Sequence, residues 1–147
     1  KNEGGIAMRS MKVVSTKSDD GYEVTNDTGE LVFKCDEPVR VGGSGKYPRP
    51  TDYFFGALGS CLNITARSLA KRRGIKINKL IVTVTGNVET HGIVDPRIKD
   101  RISDIQIKFE MESDLPRTEE ERFFQECVTA CPVHATVEDQ TKVTWSY

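Results

Sequence analysis

The run Thr51–Arg73 constrains the fold more than any other segment of this chain. Its first half is apolar nearly all round, with Tyr53, Phe54, Phe55, Ala57, Leu58 and Leu62, and polarity returns only at Arg67. A helix of that composition is expected to be buried on most sides. Pro50 suits the entry, Asp52 complements the positive end of the helix dipole, and Gly74 is the stop. Gly56, Gly59 and Ser60 are small enough for another element to approach closely. Phe54, Leu58, Cys61 and Thr65 share one face by the three-and-four spacing. One small subunit would struggle to cover such a helix, so a homodimer with a large apolar interface is expected.

The remaining segments read as sheet and two further helices. Met11–Thr16 and Tyr22–Thr25 are strands separated by the turn Ser18-Asp19-Asp20-Gly21. Asn26-Asp27-Thr28-Gly29 marks a second turn, and Glu30–Lys34 is a third strand. The segment Pro38–Pro50 is a loop rich in glycine and proline. Its Gly42-x-x-Gly45 lacks the Gly-Lys-Ser/Thr ending of a phosphate loop, because Tyr47 follows Lys46. Ile77–Val88 is a strand, and Ile102–Glu112 alternates Ile105, Ile107, Phe109 and Met111 with polar residues, as a half-buried strand does. His91–Pro96 is a loop between them. Thr118-x-x-Glu121 has the form of a capping box for a helix from Glu119 to about Ala130. Pro132 breaks that helix and enters the first turn of a short one ending near Val137. Lys142–Tyr147 closes as a strand. The order predicts an α+β fold with helices packed on antiparallel sheet.

At 147 residues the chain has the length of about one domain, and the domain is expected over residues 11–147. Residues 1–10 read as a flexible N-terminus or a foreign remnant, with Met8 or Met11 as the natural start. Hydrophobic residues make up 37% and charged residues 29%, which suits a soluble globular protein. The net charge of −1 gives no footing for nucleic acid or an anionic membrane surface. The basic run Lys71-Arg72-Arg73 lies at a helix C-terminus, where cations complement the dipole. Lys1–Ser10 lacks a signal-peptide core, and no segment is long and apolar enough to span a membrane. A cytoplasmic location follows, where thiols stay reduced.

Four cysteines, Cys35, Cys61, Cys127 and Cys131, carry the chemistry that the sequence offers. A lone helical cysteine is ordinarily a small buried hydrophobe. Cys61, however, follows an unusually polar loop. Burial in mid-helix raises a thiol pKa, so activating it needs a cation, and Arg40, Lys46 and Arg49 in that loop are the candidates. Cys131 opens Cys131-Pro132-Val133-His134 and would take the N-cap of the short helix, where free N–H groups favour thiolate. Cys127, one turn earlier, is a spare thiol or core. Cys61 and Cys131 stand seventy residues apart, too far for a local metal loop. Two separated thiols on helices can form a redox pair, one attacking an oxidant and the other resolving the product. Cys127-x3-Cys131-x2-His134 resembles three zinc ligands, but the second knuckle of a structural site is missing. There is no Gly-x-Ser-x-Gly elbow for a hydrolase. His91 reads as solvated, and His134 as a residue near the second thiol.

Pro50-Thr51-Asp52-Tyr53-Phe54-Phe55-Gly56-Ala57-Leu58-Gly59-Ser60-Cys61 and Cys131-Pro132-Val133-His134 together resemble the paired motifs of the OsmC/Ohr family, the osmotically inducible and organic-hydroperoxide-resistance proteins. The resemblance follows the element order from about Glu30 to Tyr147. It implies an intertwined homodimer, each subunit with sheet wrapped around a long central helix, and two active sites at the subunit interface. It also implies a thiol peroxidase acting on organic hydroperoxides; the sequence itself shows no flavin or haem motif, so no cofactor and no metal are expected. Cys61 would be the peroxidatic thiolate, Cys131 the resolving thiol and Arg40 the activating arginine. Tyr53, Phe54, Phe55 and Leu58, with His134 nearby, would hold the organic part of the substrate. An external dithiol would reset the enzyme. The family's classical peroxidases carry a glutamate directly after the motif proline. Here Thr51 takes that place and the acid, Asp52, comes one residue later, as in the less characterised branch of the family. A non-enzymatic protein of the same fold, sensing redox state or binding an apolar ligand, is the alternative.

Overall fold

The computed structural model describes residues 8–17, 21–99 and 101–147. The chain forms two compact units, Lys1–Tyr53 and Phe54–Tyr147. The expected N-terminal tail lies outside the described residues up to residue 7. So does most of the expected first turn, of which only Gly21 is described.

The first unit holds a three-stranded antiparallel meander, β1 (Val14–Lys17), β2 (Val24–Asp27) and β3 (Val32–Cys35), in that spatial order. The second turn forms as its residues predict. Asp27 Oδ1 accepts the Gly29 N–H at 2.7 Å, and Thr28 Oγ1 accepts the Leu31 N–H at 3.0 Å. Such side-chain bonds fold the backbone back on itself without strand pairing. Buried Asn26 is satisfied by two neighbours: Ser15 Oγ donates to its Oδ1 at 2.6 Å, and its amide donates to Cys35 Sγ at 3.5 Å.

Helix α1 (Pro50–Arg73) begins in the first unit and makes up the opening of the second. Within the second unit it is followed by β4 (Ile77–Glu89), β5 (Arg101–Ser113), α2 (Arg117–Ala130) and α3 (Pro132–Glu138). β4 and β5 form a long antiparallel hairpin, with Leu80, Val82 and Val84 opposite Met111, Phe109 and Ile107. The period-two alternation holds until a bulge near Gly86, where Asp104 takes a φ of 52° and Asn87 Nδ2 bonds its carboxylate at 2.9 Å. Gly86 leaves little room for a side chain, because an added Cβ would lie 3.0 Å from the Phe55 ring.

Two buried clusters hold this unit. One gathers Ala66, Ala70, Phe123 and Cys127, and the other gathers Leu58, Leu62 and Cys131. Phe124 extends the first by stacking on Phe109, with ring centroids 4.5 Å apart.

Three expectations are corrected. The first half of α1 is not buried on most sides of the single chain. Leu58, Gly59 and Leu62 are buried, but Phe54, Gly56, Ala57 and Ser60 are exposed. The capping box at Thr118 and Glu121 does not form. The helix starts at Arg117, Pro116 takes the N-cap, and the Glu119 N–H bonds the Pro116 carbonyl at 2.9 Å. A proline already fixes φ for the entry, so Thr118 falls inside the first turn. Lys142–Tyr147 is not a strand. It pairs with nothing among the described residues and leaves Val143, Trp145 and Tyr147 exposed.

Phe123 anchors its cluster at 1% exposure, away from the second cluster and its thiol. Truncating it to alanine removes buried area and leaves a cavity. Phe123→Ala is expected to cost about 3–5 kcal/mol of stability, seen as a lower urea midpoint with an unchanged slope.

Candidate active site

The Cys131 backbone is the joint between α2 and α3. Its N–H bonds the Cys127 carbonyl at 3.0 Å, which completes α2, and its carbonyl accepts the Ala135 N–H at 3.0 Å, which opens α3. The residue itself is extended, with φ −76° and ψ 114°. Pro132 explains the break: it has no N–H to continue α2, and its fixed φ suits the first helical position. In this geometry Cys131 Sγ accepts the His134 N–H at 3.4 Å, so the N-cap expected from the sequence forms.

That joint brings the Cys131 thiol against Cys61 on α1. Cys61 packs against the cluster that buries Cys131, near enough for one thiol to influence the other. Their surroundings are Leu58, Leu62, Val82, Val84, Ile105, Ile107, Phe109, Val128 and Val133. Exposure separates the pair: Cys131 is fully buried, while Cys61 is partly open to solvent. The expectation of a partly ionised Cys131 is corrected. Burial pushes its thiol up, and the hydrogen bond to Cys61 adds to this, against the opposing pull of the His134 N–H. Desolvation outweighs one weak N–H···S contact, so Cys131 keeps its proton. Cys127 is also fully buried, and burial pushes its thiol up to about 11. It belongs to the core with Phe123. Cys35 is buried in the first unit, as the acceptor of the Asn26 amide.

The remaining expected site residues fall in several places. Phe54 and Phe55 meet edge to face, with centroids 5.9 Å apart. Phe55 lines an open cleft of about 320 Å³ with Gly56, Gly59, Ser60, Asn63, Val82 and Val84. Neither Cys61 nor Cys131 lines that cleft. Six helical residues turn Cys61 about 120° away from Phe55 around the axis. Leu58, by contrast, is buried in the same cluster as Cys131. The His134 side chain is largely buried, and its Nε2 lies 3.5 Å from Glu138, one turn along α3. Spacing i, i+4 marks that pair in the sequence. His91 is exposed and contacts Glu89.

In the first unit, Arg40 lies in a short 3-10 turn, Val39–Val41. It lines an open cleft of about 310 Å³ with Pro38, Gly45, Tyr47, Arg49 and Asp52. Of the three cations that the loop offers, Arg49 is taken. Its Nε and Nη2 donate to the two oxygens of Asp52, each at 3.0 Å, and its backbone N–H reaches Asp52 Oδ2 at 2.9 Å. This is half of a capping box, with Asp52 at the third helical position. The pair holds the Asp52 carboxyl below the usual carboxylate range. Arg40 has no carboxylate partner among the described residues. Tyr53 donates its hydroxyl to the Lys34 carbonyl at 2.8 Å and packs on Phe33.

Sequence reasoning did not single out Asp36 or Ser44. Asp36 is 2% exposed, and its carboxylate accepts the Ser44 hydroxyl, the Ser44 N–H at 3.2 Å and the Glu37 N–H at 2.7 Å. An aspartate two residues before Pro38, at the start of the glycine-rich loop, was the available signal. Among the described residues no group of three or more His, Cys, Asp or Glu side chains gathers as a metal site would require. No helix among them is long and apolar enough to cross a membrane.

Comparison with known proteins agrees with this architecture. An OsmC-like protein from Mycoplasma pneumoniae superimposes with a TM-score of 0.75 at 23% identity, over 88% of both chains. An organic hydroperoxide resistance protein OsmC from Legionella pneumophila gives 0.67 at 17% identity, over 90% of this chain and 91% of the other. One from Elizabethkingia anophelis, crystallised with thiocyanate bound, gives 0.58 at 19% identity, over 88% and 89%. No curated protein matches the sequence. The sequence profile of OsmC-like proteins matches residues 43–146, which takes in α1 and both cysteine motifs, and the chain belongs to that family.

Proposed function

We propose that this protein is a cysteine-based peroxidase that reduces organic hydroperoxides, with Cys61 as the attacking thiol and Cys131 as the resolving one. The observation that carries the reading is the asymmetric sulfur pair: a partly exposed Cys61 in contact with a buried, protonated Cys131. Family membership and the hydroperoxide-resistance relatives support the reaction class.

Cys61 thiolate attacks the terminal peroxide oxygen, the O–O bond breaks, and the alkoxide leaves as the alcohol after taking a proton from water. Cys61 is then a sulfenic acid. The Cys131 sulfur attacks the Cys61 sulfur, and the sulfenic oxygen leaves as water, carrying the Cys131 proton. An external dithiol reduces the resulting disulfide and becomes a disulfide itself. The apolar cluster around the thiols, Leu58 included, supports a substrate with an organic body. We assign Arg40 as the cation that favours Cys61 thiolate, because Arg49 is neutralised by Asp52. Asp52 acts through Arg49 at the helix entry. Phe54, Phe55, Tyr53 and His134 would shape access. The working unit is proposed to be a homodimer in the cytoplasm. The exposed Phe54, Ile64 and Ile81 of the second unit, with Trp145 and Tyr147, are apolar area that a second copy would cover.

Five measurements test this. Cys61→Ser should abolish consumption of cumene hydroperoxide. Cys131→Ser should react once and leave Cys61 as sulfenic or sulfinic acid. Peroxide-treated protein should carry a Cys61–Cys131 disulfide by mass spectrometry, with Cys127 and Cys35 free. A Cys127–Cys131 bridge, or four free thiols, would favour the ligand-binding alternative. Arg40→Met should slow alkylation of Cys61 at neutral pH by about tenfold. Unchanged reactivity would move the role to Lys46 or remove it. Sizing at low micromolar concentration should give twice the mass of the chain, and a clean monomer would rule the dimer out.

A further inference from the structure

Reduction of a Cys61–Cys131 disulfide meets an obstacle in this fold. Cys131 is fully buried among Leu58, Leu62, Val128 and Val133, so its sulfur is closed to an external dithiol. Cys61 is partly open, but attack there would expel Cys131 as a thiolate into that apolar cluster, where burial already pushes its thiol up. Both routes need Cys131 to be uncovered. The helices around it differ in how firmly they are held. On α1, Leu58 and Leu62 stand on either side of Cys61 and are buried, as are Ala66 and Ala70 further on. Phe123 and Cys127 anchor α2 in the other cluster. α3 has seven residues, of which Val133 and His134 are half-buried and the rest exposed. A helix this short is marginal in water and depends on packing and on its caps. Its N-terminal side-chain cap is the Cys131 sulfur itself, which accepts the His134 N–H at 3.4 Å.

We propose that α3 is a redox-controlled gate: it stays closed while the Cys131 thiol caps it, and it opens when that sulfur is drawn into the disulfide, which admits the external dithiol. This rests on the pairing of Cys61 with Cys131 made above. In the disulfide the Cys131 sulfur turns to Cys61 and gives up the His134 N–H. α1 is fixed by its buried row and α2 by Phe123, so the displacement falls on α3. The open gate lets a thiolate of the dithiol attack the Cys131 sulfur. The S–S bond breaks, and Cys61 leaves with the electron pair and takes a proton from water. The second sulfur of the dithiol attacks the first, and Cys131 leaves with the electron pair of that bond and takes the second proton. The dithiol ends as a disulfide and both cysteines as thiols. The Cys131 sulfur then recovers the His134 N–H, and α3 closes. The gate opens only after a peroxide has been consumed, which keeps the resolving thiol covered in the resting protein.

Hydrogen exchange read by mass spectrometry on the whole chain tests the gate, with the protein reduced or treated with cumene hydroperoxide. Loss of a cap should speed exchange over residues 132–139 by about fivefold in the oxidised protein. Peptides from Pro50–Arg73 and Arg117–Ala130 should keep their protection, which also checks the fold of each variant. Cys131→Ser keeps a capping side chain and cannot form the disulfide, so its α3 should stay protected after peroxide. Cys131→Ala removes the cap and should exchange like the oxidised protein even when reduced. Two substitutions at exposed α3 positions then tune the gate without touching either thiol. Ala135→Gly weakens the helix and should speed reduction of the disulfide by dithiothreitol up to about fivefold. Thr136→Ala strengthens it and should slow that step about twofold. Neither should change the rate at which Cys61 is first oxidised. If the Cys61–Cys131 disulfide forms but α3 keeps its protection, or if both substitutions leave the reduction rate unchanged, the gate is overturned and the pairing stands. If that disulfide never forms, the pairing fails and the gate fails with it.

Discussion

The Cys131 N–H closes α2 on the Cys127 carbonyl while the Cys131 sulfur takes the His134 N–H in the first turn of α3. The sulfur chemistry depends on this double cap. A continuous helix through residue 131 would leave the thiol on the α2 surface row of Cys127, in the cluster built around Phe123. The break turns the chain and sends the sulfur to the other cluster, against Leu58, Leu62 and Cys61. Pro132 makes the break obligatory, since it cannot donate to α2 and is pre-set for the first turn of α3. One proline thus decides which of two adjacent thiols meets Cys61.

The same arrangement sets four cysteines to different tasks without any change of residue type. Cys35 accepts an amide hydrogen bond in the meander, and Cys127 is desolvated core with its thiol pushed up to about 11. Cys131 is buried and protonated, and Cys61 alone of the helical thiols is open to a reactant. A high pKa would handicap an attacking thiol, because the thiolate is the nucleophile. It costs a resolving thiol less, since the departing sulfenic oxygen carries away the proton that Cys131 holds. The asymmetry therefore suits the proposed order of events and not its reverse.

Much of this was legible in the sequence where the cause is local. The bounds of α1 followed from Pro50, Asp52 and Gly74, and the faces of β5 followed from the alternation of Ile105, Ile107, Phe109 and Met111. The N-cap at Cys131 followed from the proline after it. What failed depended on competition or on distant partners. Thr118 and Glu121 have the right spacing for a capping box, but Pro116 starts the helix first. Val143, Trp145 and Tyr147 alternate as a strand would, yet alternation cannot supply the neighbour that a strand needs. In the first half of α1 a single chain fully buries only Leu58, Gly59 and Leu62, because apolar composition shows that a helix seeks cover and not which chain supplies it. Nothing local marks the Asp36 clamp, because its partner lies eight residues on, across a loop whose path the sequence leaves open.

The loop before α1 shows how a departure from the family pattern is accommodated. With Thr51 after the motif proline, the acid moves one place along the helix to Asp52. That shift carries the carboxylate about 100° around the axis. At its new place it captures Arg49 through both side-chain nitrogens and the backbone N–H, and so caps the helix it stands on. An acid spent on Arg49 is not free to hold Arg40. Asp36, from the end of the preceding strand, fixes the backbone on either side of Arg40 without touching its side chain. Arg40 is left without a carboxylate partner among the described residues, so its charge is shared with no acid, whereas that of Arg49 is shared with Asp52.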